Sequence, residues 1–337
     1  MLRFTMAVVI AVFPFVAVAQ DRAAPIPTIV NDHIIAGFNA LQDRADALSA
    51  AASETCDTTD PALREAYKQA FLVWSEASHL RFGPTEQDNR GFALAFWPDP
   101  RGKTPNTLRK LILDGDAGVI APDVFREQSV AIRGFYALDF LLFDEEFATL
   151  GDDDFRCDVL RAVAGDIATT SAELAAGWTE LGADLIAPTA DATYRTEEEV
   201  LRVLFKSVST GMEFTADIRL ARPLGTVERP RPKRAEARRS GLSRDLTLAA
   251  VRGSGALAVQ LASSNPELAG RLETAQRNVM ADLEGLDDPA FAGVDTPQGR
   301  LRVEAIQTSV NAIRRTLDQE LGPYLGVSAG FNALDGD

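Results

Sequence analysis

The sequence reads Arg133-Gly134-Phe135-Tyr136-Ala137-Leu138-Asp139-Phe140-Leu141-Leu142-Phe143 over a stretch in which polar groups are embedded in apolar, helix-like sequence. Arg133, Tyr136 and Asp139 are three residues apart, so they are expected to share one face of a helix. Burying a carboxylate such as Asp139 beside so many apolar side chains is costly unless it is paired or hydrogen-bonded. Two interpretations follow. Asp139 bonds to Arg133 or Tyr136 and fixes helix packing, or these groups line a pocket for a ligand or a metal.

A second segment combines polar and aromatic residues in the same way. It runs from His79-Leu80-Arg81-Phe82-Gly83-Pro84 to Phe96-Trp97-Pro98-Asp99-Pro100-Arg101-Gly102. A long loop with large apolar residues is expected to pack, and loops of this kind are often functional. We predict that both segments meet at one cleft, near the face between two helical bundles, that holds His79, Arg81, Trp97, Asp99, Arg133, Tyr136 and Asp139. Arg81, Arg101 and Arg133 would suit a ligand that carries a carboxylate.

Helical periodicity dominates the rest of the chain. Asp60-Pro61 and Thr104-Pro105 have the cap-then-proline order of a helix start, and alternating strand patterns of useful length are absent. The fold class predicted from this pattern is all-α, built from packed helical bundles. The predicted helices span residues 27–54, 61–81, 104–114, 122–144, 153–181, 195–221, 243–264, 266–284 and 297–320.

A basic, proline-containing segment at residues 223–241 is interpreted as a linker. It would join an N-terminal bundle of residues 20–222 to a C-terminal bundle segment of residues 242–337. Residues 219–244 contain nine Arg or Lys and two Glu. We expect these cations to pair with the acidic surface of the protein itself; binding of an anion or an acidic partner is the alternative.

The N-terminus is typical of a secretory signal peptide. Arg3 precedes an apolar stretch at residues 4–16, and Ala17-Val18-Ala19 is an A-x-A cleavage motif. We therefore predict a signal peptide at residues 1–19, cleavage after Ala19, and no membrane span in the mature chain. The net charge of −15 argues against nucleic acid and anionic membranes as general partners.

The chain contains two cysteines, Cys56 and Cys157. Export to an oxidising compartment makes a disulfide between them the default expectation. A zinc site would need more soft ligands than two cysteines and two distant histidines give.

The two polar segments resemble the imelysin family of bacterial cell-envelope proteins, also called the M75 peptidase family. The resemblance rests on the Arg81-Phe82-Gly83-Pro84 helix end, the Phe96–Gly102 connection and the helix that starts at Gly134. Weaker similarity lies at residues 222–225 and 235–243. The resemblance to this family implies two similar helical bundles related by a pseudo-twofold axis, with the functional site between them. The family motif is G-x-H-x-x-E; here Gly134 matches, whereas Tyr136 and Asp139 stand where the His and the Glu would be.

Candidate metal ligands are Glu76, His79, Tyr136 and Asp139. The Glu76-x-x-His79 spacing is one that metal sites in helical bundles use, and a structural hydrogen-bonding role for His79 is the alternative. Tyrosine ligates ferric iron as a phenolate, and carboxylates suit hard cations. The substituted motif therefore favours iron or another oxygen-preferring cation over zinc. Neither H-E-x-x-H nor G-x-S-x-G occurs in the chain.

Together these features predict a periplasmic imelysin-like binding protein, linked by resemblance to iron uptake or handling, without catalysis. Its ligand would be a small molecule or a metal. An M75-type metallopeptidase is one alternative, although Tyr136 and Asp139 weaken both the anchor and the base that a zinc-bound water requires. The other alternative is a structural or partner-binding cell-envelope protein that binds another envelope protein.

Overall fold

The computed structural model describes residues 25–327, and every regular element in this range is helical. The predicted all-α fold class is therefore confirmed. The predicted signal peptide lies outside the described residues. None of the helices within residues 25–327 combines the length and the apolar composition that crossing a membrane requires.

Nine helices of ten or more residues form the described part of the chain, as the periodicity predicts. Helix α1 consists of Ile26–Thr28, the π-helical Ile29–Ile35 and Ala36–Glu54. The other helices are α2 Pro61–Ala77, α3 Lys103–Asp114, α4 Gly134–Phe143, α5 Asp153–Ile186, α6 Glu197–Glu213, α7 Ser243–Leu261, α8 Pro266–Glu284 and α9 Pro297–Thr316. Helix α6 continues through π-helical Phe214–Leu220 to Ala221–Leu224, and α9 continues through π-helical Leu317–Leu321 to Gly322–Leu325.

Short helical turns connect these helices. They are Gly83–Thr85, Gln87–Asn89, Arg90–Leu94, Pro122–Phe125, Val130–Ile132, Phe147–Thr149, Pro232–Arg234 and Ala292–Asp295. The prediction of a single helix at residues 122–144 is wrong. This segment contains three separate helical pieces, Pro122–Phe125, Val130–Ile132 and α4. Arg133 is extended (φ −107°, ψ 166°) and Gly134 has a φ of +71°, so the helical path cannot pass through this point.

Local capping chemistry explains most helix starts. The Asp60 side chain accepts a hydrogen bond from the Leu63 amide, and Pro61 occupies the first helical position as predicted. Helix α3 begins one residue before the predicted Thr104. Its N-cap residue is Gly102, and the two carboxylate oxygens of Asp99 accept from the amides of Lys103 (2.9 Å) and Thr104 (2.8 Å).

The helices pack around one continuous hydrophobic cluster. Helix α1 packs on α2 and α5, while α7 packs on α2, α6 and α8. Helix α6 lies against α7 and α9, so its contacts are with the C-terminal helices, although the sequence-based division placed it in the first bundle. The domain boundary at residues 223–241 stays a prediction. The packing of α2 on α7 brings the polar segment that follows α2, residues 79–102, close to the segment that precedes α7.

The predicted disulfide between Cys56 and Cys157 is confirmed. Cys56 follows the end of α1, Cys157 lies in the first turns of α5, and their Cα atoms are 5.4 Å apart. The bond closes a loop with a sequence separation of 101 residues. Closing such a loop restricts the unfolded chain, which stabilises the folded protein.

Replacing both cysteines by serine is expected to lower the free energy of unfolding by about 2–4 kcal/mol. The reason is the conformational freedom that the unfolded chain regains. Urea unfolding of the oxidised protein and of Cys56→Ser/Cys157→Ser measures the difference. Reduced wild-type protein is the control and should match the double variant. Two titratable thiols in the unfolded, unreduced protein would contradict the disulfide.

Candidate functional site

Two neighbouring cavities share a wall formed by Trp97 and Tyr136. The smaller one has a volume of about 40 Å³, and we call it the histidine cavity because His79 lines it beside Gly211 and Ser254. The larger one, the basic cleft, has a volume of about 290 Å³. Water molecules fit in the first, whereas the second has room for a small ligand. The basic cleft is also lined by Asp99, Asp139, Arg222, Lys233, Arg234, Arg238 and Arg239.

Tyr136 is the first member of a buried polar chain. Its hydroxyl donates a hydrogen bond to one carboxylate oxygen of Glu236, and the other oxygen accepts from the Arg219 guanidinium. Tyr136, Glu236 and Arg219 are 8%, 2% and 5% exposed. Burial, followed by the nearby Glu236 charge, raises the pKa of Tyr136 well above its ordinary value. The phenol is therefore protonated at neutral pH and acts as a hydrogen-bond donor.

The Asp139 carboxylate accepts hydrogen bonds from Ser240, a residue that the helical spacing of residues 133–143 could not indicate. Its Oδ1 accepts hydrogen bonds from the Ser240 hydroxyl (2.6 Å) and amide (3.2 Å), and the Tyr67 hydroxyl lies at 3.5 Å. Burial raises the pKa of Asp139, while the bond from Ser240 and the charge of Arg239 act in the opposite direction. The interpretation that Asp139 bonds to Arg133 or Tyr136 is wrong. The carboxylate instead holds the segment that precedes α7.

Arg133 lies away from both cavities. Its Nε and Nη2 donate to the two carboxylate oxygens of Asp166 at 2.9 and 2.8 Å, and both side chains are largely buried. Because Arg133 is the extended residue before α4, the face that Tyr136 and Asp139 share does not include it. Its guanidinium fixes the start of α4 on α5.

The other predicted ligand residues divide between the cavities and the surface. Arg81 lines the histidine cavity, but it pairs with Glu86 at 3.4 Å and lies over the Phe92 ring. Asp99 lines the basic cleft while capping α3. Arg101 is exposed and is absent from the linings of both cavities. Of the predicted residues, Trp97, Asp99, Tyr136 and Asp139 therefore line the basic cleft, while His79 and Arg81 line the adjoining histidine cavity.

The two histidines of the chain form a pair that the sequence did not predict. The Nε2 atoms of His33 and His79 are 3.1 Å apart, and Nδ1 of His79 lies 2.9 Å from the Glu76 carbonyl oxygen. Because a carbonyl only accepts, Nδ1 of His79 carries the proton, and its Nε2 accepts from His33. Burial is the main cause that lowers the pKa of His79 to about 3 and that of His33 to about 4. Both rings are neutral at neutral pH.

Acidification from pH 7 to pH 4 is expected to destabilise the protein through this pair. In the unfolded chain the histidines bind protons near their ordinary pKa of 6.5, whereas the folded pair does so only at about 4 and 3. Stability is thus present above pH 6.5 and is lost as the pH falls. The shift of His33 alone corresponds to about 3 kcal/mol. Urea unfolding at several pH values measures the slope, and His33→Gln/His79→Gln should have a smaller one. Equal slopes would contradict the prediction.

The four predicted metal ligands do not form a common donor set. Glu76 is about two-fifths exposed and its carboxylate lies 3.5 Å from Arg252. His79 bonds to His33, Tyr136 is a protonated phenol, and Asp139 is held by Ser240. Within residues 25–327, no group of three or more His, Cys, Asp or Glu is arranged to hold a metal ion. These residues do not fit a resident metal.

A sequence model of the imelysin family, peptidase M75, matches residues 34–317. The chain belongs to the imelysin family. The resemblance inferred from the sequence is therefore confirmed, and Gly134, Tyr136 and Asp139 can be compared with the family motif. Tyr136 and Asp139, the residues expected at the His and Glu positions of the motif, both line the basic cleft.

Known relatives agree with this assignment. The chain is 24% identical over 282 residues to iron-regulated protein A of Synechococcus elongatus, covering 78% of this chain and 74% of that protein. An imelysin-like protein from Psychrobacter arcticum superposes with a TM-score of 0.75 at 20% identity, covering 93% and 100% of the two chains. A putative iron-regulated protein A precursor from Parabacteroides distasonis has a TM-score of 0.69 at 12% identity, with coverages of 88% and 95%. These structural similarities show a shared fold.

Several residues of the site were not predicted from the sequence. Glu236 and Ser240 hold the two motif residues, yet they lie about 100 positions later in the chain. The sequence features that could have indicated Glu236 and Ser240 are the weak family similarity at residues 235–243 and the basic composition around it. Of the nine cations in residues 219–244, Arg219, Arg239 and Arg244 form ion pairs with acidic residues. The expected self-pairing therefore applies to only part of this segment.

Proposed function

We propose that this chain is an exported imelysin-family binding protein that acts in the periplasm without peptidase catalysis. The observation that carries the proposal is that Tyr136 and Asp139 are engaged in hydrogen bonds within the protein. These two residues stand where the family motif would have its His and Glu. Next to them lies a cleft of about 290 Å³ that opens to solvent. Ligand pockets combine such a concave space with a few polar groups that orient the ligand.

Metal-dependent peptide hydrolysis would require features that the motif residues do not supply. A catalytic zinc site uses three protein ligands and keeps one position open for water. Tyr136 keeps its proton because burial and Glu236 raise its pKa. Asp139 is occupied by Ser240, so it is poorly placed to act as a base toward a water molecule. Both observations favour binding over hydrolysis.

The proposed role in iron handling is supported by the names of two relatives, which are both called iron-regulated protein A. We propose that this chain also serves iron uptake or handling, through a bound ligand rather than through an ion held by its own side chains. The predicted signal peptide supports a periplasmic location. Slower growth of a deletion strain under iron limitation, restored by the wild-type gene, is the expected result; unchanged growth would contradict this role.

Peptidase assays test the absence of catalysis. The purified protein is expected to leave a casein-like substrate intact, with and without added divalent metal, because no metal-bound water can be assembled from the motif residues. A chelator is the control. Chelator-sensitive cleavage that is lost in Asp139→Asn would contradict the proposal and establish the metallopeptidase alternative.

A further inference from the structure

The basic cleft collects cations that have no acidic partner. Within residues 25–327, no ion pair involves Arg222, Lys233, Arg234 or Arg238, and all four line the cleft. The fifth cation of the lining, Arg239, pairs with Asp144 at 2.5 Å. Like charges gathered without counter-charges repel one another. The cleft therefore attracts negative charge from outside the chain.

Aromatic rings lie against two of the guanidinium groups in the cleft. The Arg222 guanidinium lies 5.6 Å from the centroid of the Trp97 ring, and that of Arg239 lies 3.6 Å from the Phe140 centroid. Stacking on a ring orients the guanidinium while leaving its N–H groups available to an acceptor. The Nε atom of Arg222 is buried without a hydrogen-bond partner in the described part of the chain. A buried donor of this kind indicates a missing acceptor.

Electrostatics in the cleft support the same conclusion. Burial, followed by the charge of Arg234, lowers the pKa of Arg222. Burial, followed by the charge of Arg239, lowers the pKa of Arg238. Partial burial and a neighbouring cation thus act on both side chains, while the charges of Asp139 and Asp144 act in the opposite direction on the pKa of Arg238. An anion placed between them would relieve both effects.

The acidic residues near the cleft neutralise only part of this positive charge. Asp99 caps α3, and Asp139 accepts from Ser240 and lies 3.9 Å from Arg239. The lining carries five cations and two carboxylates, and Asp144 pairs with Arg239 from outside the lining, so two positive charges remain. The whole chain carries a net charge of −15, so this positive site is a local exception. Nucleic acid is therefore an unsuitable occupant, because the surrounding surface would repel it.

We infer that the basic cleft binds a small multivalent oxyanion, a compound with two or more carboxylate or phosphate groups. This inference rests on the proposed binding function and names the class of its ligand. Guanidinium forks match the paired oxygens of both groups. Two excess charges favour a multivalent anion over a monovalent one, and a cleft of about 290 Å³ limits its size.

Titration calorimetry with citrate and with pyrophosphate tests the inference, and the two probes separate carboxylate from phosphate chemistry. At least one is expected to bind about tenfold more tightly than acetate, since further charge-assisted hydrogen bonds form. Binding should weaken with rising ionic strength. Absence of heat from both probes at millimolar concentration would overturn the inference. Binding of only a glutamate-rich peptide would overturn it in favour of a macromolecular partner.

Charge-matched variants locate the binding. Arg234→Gln/Arg238→Gln is expected to weaken binding of the preferred probe by about tenfold or more. Arg195→Gln/Arg229→Gln removes two exposed cations outside the cleft and should change the affinity by less than about twofold. Equal losses in both double variants would overturn the assignment to this cleft. Thermal melting checks that both variants fold.

Failure of this inference can be distinguished from failure of the proposed function. Proteolysis of casein that requires a metal would contradict the binding function whatever the anion titrations give. A protein without proteolytic activity that binds neither citrate nor pyrophosphate would leave the binding function standing and overturn only the ligand class.

Discussion

Gly134→Ala is expected to lower the free energy of unfolding by more than about 4 kcal/mol, a size reached by few single substitutions. A Cβ atom at this position would lie 2.2 Å from the carbonyl oxygens of both Ala93 and Leu94. These are backbone atoms that cannot rotate away, so the start of α4 would have to move. The φ of +71° adds a further cost for any residue with a side chain. Gly134 is therefore required by the close approach of the backbone at the start of α4.

Urea unfolding of Gly134→Ala against wild type measures the effect. Gly37→Ala is the matched control, because Gly37 lies inside α1 and an added Cβ there meets nothing within 4 Å. The control should be neutral or more stable by about 0.4–1 kcal/mol. A Gly134→Ala protein within about 1 kcal/mol of wild type would show that the contact with residues 93–94 is absent.

Glu236→Leu is expected to cost about 3–5 kcal/mol, because it leaves the buried Arg219 guanidinium without its counter-charge. The double variant Arg219→Met/Glu236→Leu should recover most of that loss, since it removes both charges. It would retain about 1–3 kcal/mol for the Tyr136 hydroxyl, which loses its acceptor.

Equilibrium unfolding of wild type, the single variant and the double variant provides the comparison. Glu198→Leu is the control, because its ion pair with Arg202 is exposed on both sides and should contribute at most about 1 kcal/mol. If the single and double variants lost equal stability, the Arg219 charge would not be the source of the cost. If the folded double variant still binds the preferred oxyanion, the Tyr136–Glu236–Arg219 chain stabilises the protein without being needed for binding in the basic cleft.

Sequence reasoning predicted the helical scaffold well, because a helix depends on nearby residues. Periodicity located eight of the nine long helices, and the Asp60-Pro61 start was confirmed. It missed the break between Pro122–Phe125 and α4. There Gly134 takes a conformation required by its contact with residues 93–94. That break is a tertiary requirement, so periodicity within the segment could not show it.

The candidate site was predicted in part. Helical spacing correctly placed Tyr136 and Asp139 on one wall, and the loop composition correctly indicated that Trp97 packs near them. The spacing argument gave Arg133 the wrong surroundings, since that residue is not helical and pairs with Asp166. The sequence offered no means to choose among acidic partners far apart in the chain.

By itself, the sequence determined the all-α class, the family and the disulfide, because these follow from local periodicity, from motif residues and from cysteine count. Tertiary structure alone decided which polar groups meet. The His33–His79 pair joins residues 46 positions apart, and the Tyr136–Glu236 bond joins residues 100 positions apart. Packing of α1 on α2 brings the two histidines together. Packing of α4 against the segment before α7 brings Tyr136 to Glu236. The unpaired cations of the basic cleft have the same origin, since the charge balance of a cavity depends on every chain segment that lines it.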